Sequence, residues 1–254
     1  MRSPSLSIAA RLVAGLLVVN AFVYLLAGAA LLEGLRQQEA HAQATTQNLA
    51  RSVAITVSGM LDKLDVGLAA IGSEVVHQLR EGPIQPQRLT AYLAHQKLLL
   101  HDFQDLWIAD ATGALRWGTN LPPGGPVNVA DREYFQQALK ASGSTLVISR
   151  PLVGRVNGTW TVVVAKRIDR PDGSFAGIAI GSLRLVDCFK AIFAPIDLGA
   201  QGLVALRGED MTLFARYSPA AWPGREPGSR SVSDATTQAL RNDPAAGTFV
   251  AVSA

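Results

Sequence analysis

The side chains that could do covalent or metal chemistry are present but never assembled. His41, His77, His95 and His101 are scattered, with no His-Glu-x-x-His run and no paired ligand spacing, so neither a metal centre nor a cofactor is expected. Gly173-Ser-Phe-Ala-Gly177 carries its serine second rather than third, which is not a nucleophile elbow. Cys188 is alone, which leaves no intrachain disulfide and no thiolate cage. No Gly-x-x-x-x-Gly-Lys loop cradles a phosphate. An enzyme is not expected, and what remains is binding. Asp131-Arg132-Glu-Tyr134 opens a short predicted helix, Asp131 to Ala141, with Phe135, Ala138 and Leu139 on one face. Asp131 can cap the first amides of that helix. Arg132 offers a planar five-donor fork suited to a carboxylate, and Tyr134 an amphipathic wall. Arg132 is equally compatible with a structural salt bridge. Arg150 and Lys166 could add positive charge to the same pocket or be solvated strand residues. Trp107 and Trp117, ten residues apart, line a sheet face or pack a core.

Composition narrows the setting for that helix. The chain has 254 residues, 48% hydrophobic and 17% charged, against roughly 25% charged in a soluble domain. Mean hydropathy is +0.20. Lys and Arg total 23 against 20 Asp and Glu, a net charge of +3 with no local cationic cluster, so nucleic acid is an unexpected partner. Disorder and a disulfide scaffold are excluded.

The charge deficit is local. From Leu12 to Leu32 run 21 residues without a charge, about 31 Å of helix, the thickness of a bilayer core. Arg2 and Arg11 precede the run, whereas Glu33 and Arg36 follow it and cancel. The positive-inside rule puts residues 1–11 in the cytoplasm, 12–32 in the membrane and the rest outside it. A cleaved signal peptide is the rival, given Ala40-His41-Ala42 and Ala42-Gln43-Ala44, but the apolar run exceeds the usual 7–15 residues or so. Residues 33–85 read as a stalk helix, free of proline to Gly82, with apolar positions at Leu49, Val53, Met60, Leu64, Leu68, Ile71, Val75 and Leu79. That stripe needs cover, from the downstream sheet or from a second copy; a homodimer through the stalk is the expectation.

Residues 86–196 read as one lobe. Asp105 to Ala109 and Ala114 to Gly118 flank an Asp/Gly turn and form a hairpin. The helix from Asp131 follows, then strands Thr145 to Ser149, Thr159 to Ile168 and Phe175 to Leu185. Five antiparallel strands with a helix after the second describe a PAS-like α+β lobe. The order then restarts in residues 197–254: a hairpin of Gly202 to Leu206 and Met211 to Tyr217, a Pro/Gly-rich loop, a helix from Ser233 to Arg241 and a strand from Gly247 to Val252. The closing hairpin of this second lobe is missing, so the chain is expected to be the N-terminal piece of a longer protein.

Asn128-Val-Ala-Asp131-Arg132-Glu-Tyr134-Phe135-Gln-Gln-Ala138 resembles the DRxYFxxA segment of bacterial double-Cache sensor ectodomains, which are tandem PAS-like lobes. Ile148-Ser-Arg150-Pro-Leu-Val-Gly154-Arg155-Val-Asn-Gly158-Thr-Trp160, Ala165-Lys166-Arg167-Ile168 and Pro171-Asp-Gly173-Ser-Phe175-Ala-Gly177 look like the version in membrane-bound diguanylate cyclases with a GGDEF output, and related sensor histidine kinases carry it too. The resemblance covers roughly Ala40 to Ala254. It implies a two-lobed periplasmic sensor in the bacterial inner membrane, single-pass as given, whose small ligand governs a cytoplasmic output through a second transmembrane helix, neither of them in this chain; most directly a diguanylate cyclase, alternatively a histidine kinase or chemoreceptor. An anchored periplasmic binding or scaffold protein without output is the competing class. In amino-acid-binding relatives the motif's Arg and aromatic hold the ligand carboxylate, and an Asp near the last strand holds its ammonium. Ser182, in Gly177-Ile-Ala-Ile-Gly181-Ser182-Leu183, stands where that Asp would be. The resemblance therefore implies a site of Asp131, Arg132, Tyr134, Arg150, Lys166 and Ser182, disfavours an α-amino acid and favours a carboxylate or neutral metabolite.

Overall fold

A computed structural model describes residues 8–125, 127–141, 143, 145–194, 196–200, 202–218 and 226–242. The chain divides into two compact units, one of residues up to Arg51 with those from Gln238 on, the other Ser52–Thr237. In the first unit α1 (Ile8–Glu81) is apolar on all sides over residues 12–32, apart from Asn20, with Leu16, Leu17, Val18 and Phe22 all exposed. Its most apolar stretch has a mean hydropathy of 2.2 and no buried residue, so it is long and apolar enough to cross a membrane. Asn20, the polar interruption, donates to the Leu16 carbonyl at 2.9 Å. Its amide is thus satisfied within the helix, as a lipid environment demands.

In the second unit α1 becomes one-sided. Leu64, Leu68, Ile71 and Val75 recur at helical spacing and are buried. Gly82, at φ 145°, and Pro83 end the helix. Pro86 then opens α2 (Pro86–Leu99), where a missing N–H costs nothing. The strands are β1 (Asp105–Asp110), β2 (Leu115–Gly118), β3 (Leu146–Ile148), β4 (Leu152–Val153), β5 (Trp160–Asp169) and β6 (Phe175–Arg184). They pair antiparallel in the order β2-β1-β6-β5-β3, with β4 also on β5.

Side chains alternate across this sheet and give it two cores. Leu106, Ile108, Val162, Val164 and Leu183 face α1 and α2. Trp107, Ala109, Val163, Ala165, Ile178 and Ile180 face α3 (Glu133–Lys140), which buries Tyr134, Phe135 and Ala138. Trp107 and Trp117 therefore fall on opposite faces. The chain then forms α4 (Leu185–Phe193), the hairpin β7 (Val204–Arg207) and β8 (Leu213–Tyr217), and α5 (Asp234–Asn242). Phe189 and Phe193 of α4 stack at 5.7 Å, and with Ala215 of β8 they join the α1-facing core.

The α+β architecture is as the periodicities predict, with three corrections. The sheet has six strands, because Pro151 leads into a two-residue ladder, β4, too short to carry a pattern. Phe175 to Arg184 is strand, but Leu185 starts a helix, α4, that the apolar continuity conceals. The helix from Asp131 begins at Glu133 with Arg132 at its N-cap, and no side chain caps it. The expected strand Gly247 to Val252 and part of the Pro/Gly-rich loop lie outside the described residues.

Candidate ligand site

The site follows from how α3 enters. Asn128 Oδ1 accepts the Ala130 amide at 2.8 Å and its Nδ2 donates to Thr112 O at 3.0 Å, fixing the approach to the helix. Arg132, extended at φ −74° and ψ 139°, then turns into the first helical residue. That geometry aims Arg132 and Tyr134 toward the segment 152–157, which begins with β4. Between them is a cavity of ≈ 30 Å³. At roughly 10–15 Å³ for each, it holds two or three waters at most. Trp107, Val163 and Ile180 make its floor, Arg132 and Tyr134 a wall, and Leu152, Gly154 and Val156 its roof.

Its charge is held by two guanidinium groups. Arg155 grips Asp131 in a two-pronged pair, Nη1 to Oδ1 and Nη2 to Oδ2, each 2.6 Å, and Nη1 also donates to Asn128 O at 2.6 Å. The hydrogen bonds from Arg155 hold the Asp131 carboxyl below its ordinary range and the arginine above its own. Arg132 instead donates to a carbonyl, Val153 O, at 3.2 Å, and adds only the weakest of the pulls on Asp131. Burial pushes the Tyr134 phenol up to about 12, against the pull of Arg132 and Arg155, so it stays a neutral donor. Ser182 lines the cavity, 1% exposed, and its Oγ has no hydrogen-bond partner among the described residues.

Of the six residues expected at the site, Arg132, Tyr134 and Ser182 meet in the cavity. Asp131 flanks it through Arg155, and its carboxylate is taken up there rather than capping α3. Lys166 is elsewhere: alternation along β5 turns it to the α1 face, where Nζ meets Asp65 at 2.6 Å. Arg150 reaches Asp210 at 3.1 Å and Glu133 at 3.8 Å and does not line the cavity. Arg155 and Asn157 line it unexpectedly. The signal was a charged turn, Gly154-Arg155-Val-Asn157-Gly158, with Gly158 at φ 66°. Asn157 donates to Gln104 Oε1 at 3.1 Å, pinning the roof to the start of β1.

No protein-family model matches the chain, and no curated relative does. Solved structures do. The extracellular domain ascribed to the histidine kinase rpHK1S-Z16 is 26% identical, with a TM-score of 0.61 over 72% of this chain and 71% of its own. The ligand-binding domain of the Pseudomonas aeruginosa amino acid chemoreceptor PctC, in complex with GABA, is 14% identical, TM-score 0.52, over 68% and 75%. That of the Campylobacter jejuni chemoreceptor Tlp3, in complex with 4-methylisoleucine, is 12% identical, TM-score 0.57, over 77% and 75%. The likeness to the two chemoreceptor domains is one of fold: this chain folds as extracellular ligand-binding domains of sensor proteins fold.

Proposed function

We propose that the chain is the sensing part of a receptor of the bacterial inner membrane, with its N-terminus in the cytoplasm, one span at 12–32 and its bulk in the periplasm, which binds a small carboxylate against Arg132. The observation that carries this reading is the cavity at the entry of α3, where Arg132 spends its fork on a carbonyl and a buried hydroxyl, Ser182 Oγ, has no protein partner. A carboxylate would replace a neutral acceptor by a charged one, which shortens and strengthens the bond. The cavity is too small for a metabolite as it stands, so entry requires segment 152–157 to lift. The roof is held by Arg132 to Val153, Asn157 to Gln104 and Arg155 to Asp131, all breakable by a small displacement.

The boundaries that fit this role are a span at 12–32, a stalk at 33–85, a first lobe at 86–196 and a second at 197–254. A stalk-mediated homodimer would carry roof movement to the membrane, given two states that differ in ligand affinity. For the output, a diguanylate cyclase draws on the sequence resemblance alone. The 26% identity to a domain ascribed to a histidine kinase favours the kinase alternative. The test is thermal unfolding of the detergent-solubilised full chain against carboxylates, amino acids, purines and polyamines. A rise of a few degrees with one carboxylate class, abolished in Arg132→Ala, is the expected result. A folded protein that no carboxylate stabilises overturns the reading.

A further inference from the structure

Among the described residues, four buried side-chain atoms have no hydrogen-bond partner: Asp105 Oδ2, Thr159 Oγ1, Ser182 Oγ and Arg184 Nε. A buried polar atom left unpaired is costly, so native proteins pair nearly all of them. These four are not dispersed. Asp105 lies directly opposite Ser182 in the β1–β6 ladder, and residues opposite each other share a face. Arg184 is two residues beyond Ser182 on β6, again on that face, and is opposite Thr161, which lines the cavity. Thr159 is two residues before Thr161, at the entry to β5. The face is the one that carries Trp107 and Ile180, the cavity floor. Ser182 is the join: it borders the cavity and stands between the other two strand residues.

The atoms differ in what they need. Arg184 Nε–H can only donate; its Nη1 already holds Asp187 at 2.9 Å. Asp105 Oδ2 accepts, while its other oxygen is 3.5 Å from Lys97 Nζ; Arg184 and the Asn120 side chain also pull on this carboxyl. The serine and threonine hydroxyls do either. A second carboxylate would suit Arg184 and be repelled by Asp105. An ammonium would suit Asp105 and be repelled by Arg184. A neutral group that both donates and accepts satisfies both at once.

We propose that this cluster is a subsite for hydroxyl groups, so that the ligand class of the cavity is hydroxylated carboxylates: the carboxylate at Arg132, the hydroxyl among Ser182, Asp105 and Arg184. The inference rests on the carboxylate reading of Arg132.

The test uses matched pairs that differ in their hydroxyls: L-lactate with propionate, L-malate with succinate, D-gluconate with hexanoate, and 6-aminohexanoate as the cationic control. Each is titrated calorimetrically into the detergent-solubilised full chain. At least one hydroxy acid is expected to bind tighter than its parent, and Ser182→Ala to weaken it about fivefold while leaving the parent acid unchanged. Asp105→Asn, which keeps the shape, reports on the same preference if Ser182→Ala alters folding. Parent acids that bind as well as their hydroxy partners, with both lost in Arg132→Ala, overturn the subsite and leave the carboxylate reading standing. Tighter binding of 6-aminohexanoate than of every hydroxy acid overturns it in favour of a cation subsite. Absence of binding by all seven also overturns it, and the wider carboxylate panel then decides on Arg132 separately.

Discussion

The two faces of the six-stranded sheet are covered differently. On one, α1 and α2 bury Leu64, Leu68, Ile71, Leu89 and Leu93 completely. On the other, α3 has 8 residues, about 12 Å of helix against ten-residue strands of roughly 33 Å. A helix that short cannot cover strands that long, and the remainder is roofed by segment 152–157. The helix-covered face has open space too, ≈ 130 Å³ beside Val75, Ile108 and Trp117. Its polar groups are partnered, however: Asp110 by Thr112, Ala114 and Arg116, and Arg170 by Ser174 and the Phe175 carbonyl. The smaller cavity beneath α3 is lined by one unpartnered residue, Ser182. Unsatisfied polarity, rather than volume, separates a site for a polar ligand from a packing gap.

This contrast is broken most forcefully in the α1 core. Leu68→Ala should cost about 2–5 kcal/mol in chemical denaturation of the full chain, the usual range for a fully buried leucine. Equal losses from Val163→Ala on the other face would mean that the two faces are packed alike. Next comes the ion pair that ties α1 to β5. Lys166 is 5% exposed at its side chain and Asp65 38%, so Asp65→Ala strands a buried ammonium beside a partly wet site. The loss should fall somewhat below the roughly 3–5 kcal/mol of fully buried pairs, and adding Lys166→Met should recover most of it. A double variant as unstable as the single one would show that Lys166 has another partner.

Two aspartates give opposite pH slopes. Burial pushes Asp110 up, but hydrogen bonds from Thr112, Arg116 and the amides of Thr112 and Ala114 outweigh it and hold the carboxyl below 3.8. The folded state then binds fewer protons than the unfolded one, so its contribution is present above pH 3.8 and lost as pH falls through the folded value. Asp105 is raised, chiefly by burial and against the pull of Lys97. Its folded form holds the proton longer, so stability declines as pH rises from 3.8 through the folded value. Asp110→Asn should cost about 1 kcal/mol at neutral pH and flatten the acid limb. Asp105→Asn should flatten the decline above it. Denaturant midpoints followed from pH 3 to 7 check both signs.

Much of this was legible in the sequence. The helical stripe at Leu64, Leu68, Ile71 and Val75, the Asp/Gly hairpin turn and the Phe135-to-Ala138 face of α3 all follow from period and turn chemistry. The strand faces did not: Val162-Val-Val-Ala165 and Ile178-Ala-Ile180 are apolar on both sides, as in any strand covered twice, so no alternation reveals that Lys166 points to α1 and Ser182 to the cavity. Arg155 carries no role in the sequence beyond the resemblance, because its partner Asp131 is 24 residues away and only the fold closes that distance. The unpaired oxygen of Asp105 is still further from sequence, since it depends on the β1–β6 register.

The smallest effect is the sharpest, because its sign matters. Replacing a hydroxyl that has a buried partner removes a hydrogen bond and destabilises by about 1 kcal/mol. Ser182 Oγ has no partner among the described residues, so Ser182→Ala removes a desolvated polar atom and leaves nothing behind that needs one. The methyl that remains sits among Trp107, Val163 and Ile180 without a new contact to make. Ligand-free stability should therefore stay within roughly 0.5 kcal/mol of the natural chain, and a slight gain is the natural direction. Ligand affinity should move the other way, since the group that costs stability in the free protein is the one a bound hydroxyl repays. A residue that serves the fold alone would lose stability on substitution and leave binding unchanged. Paired denaturation and calorimetry on one variant separate those roles, because they place the serine on opposite sides of zero.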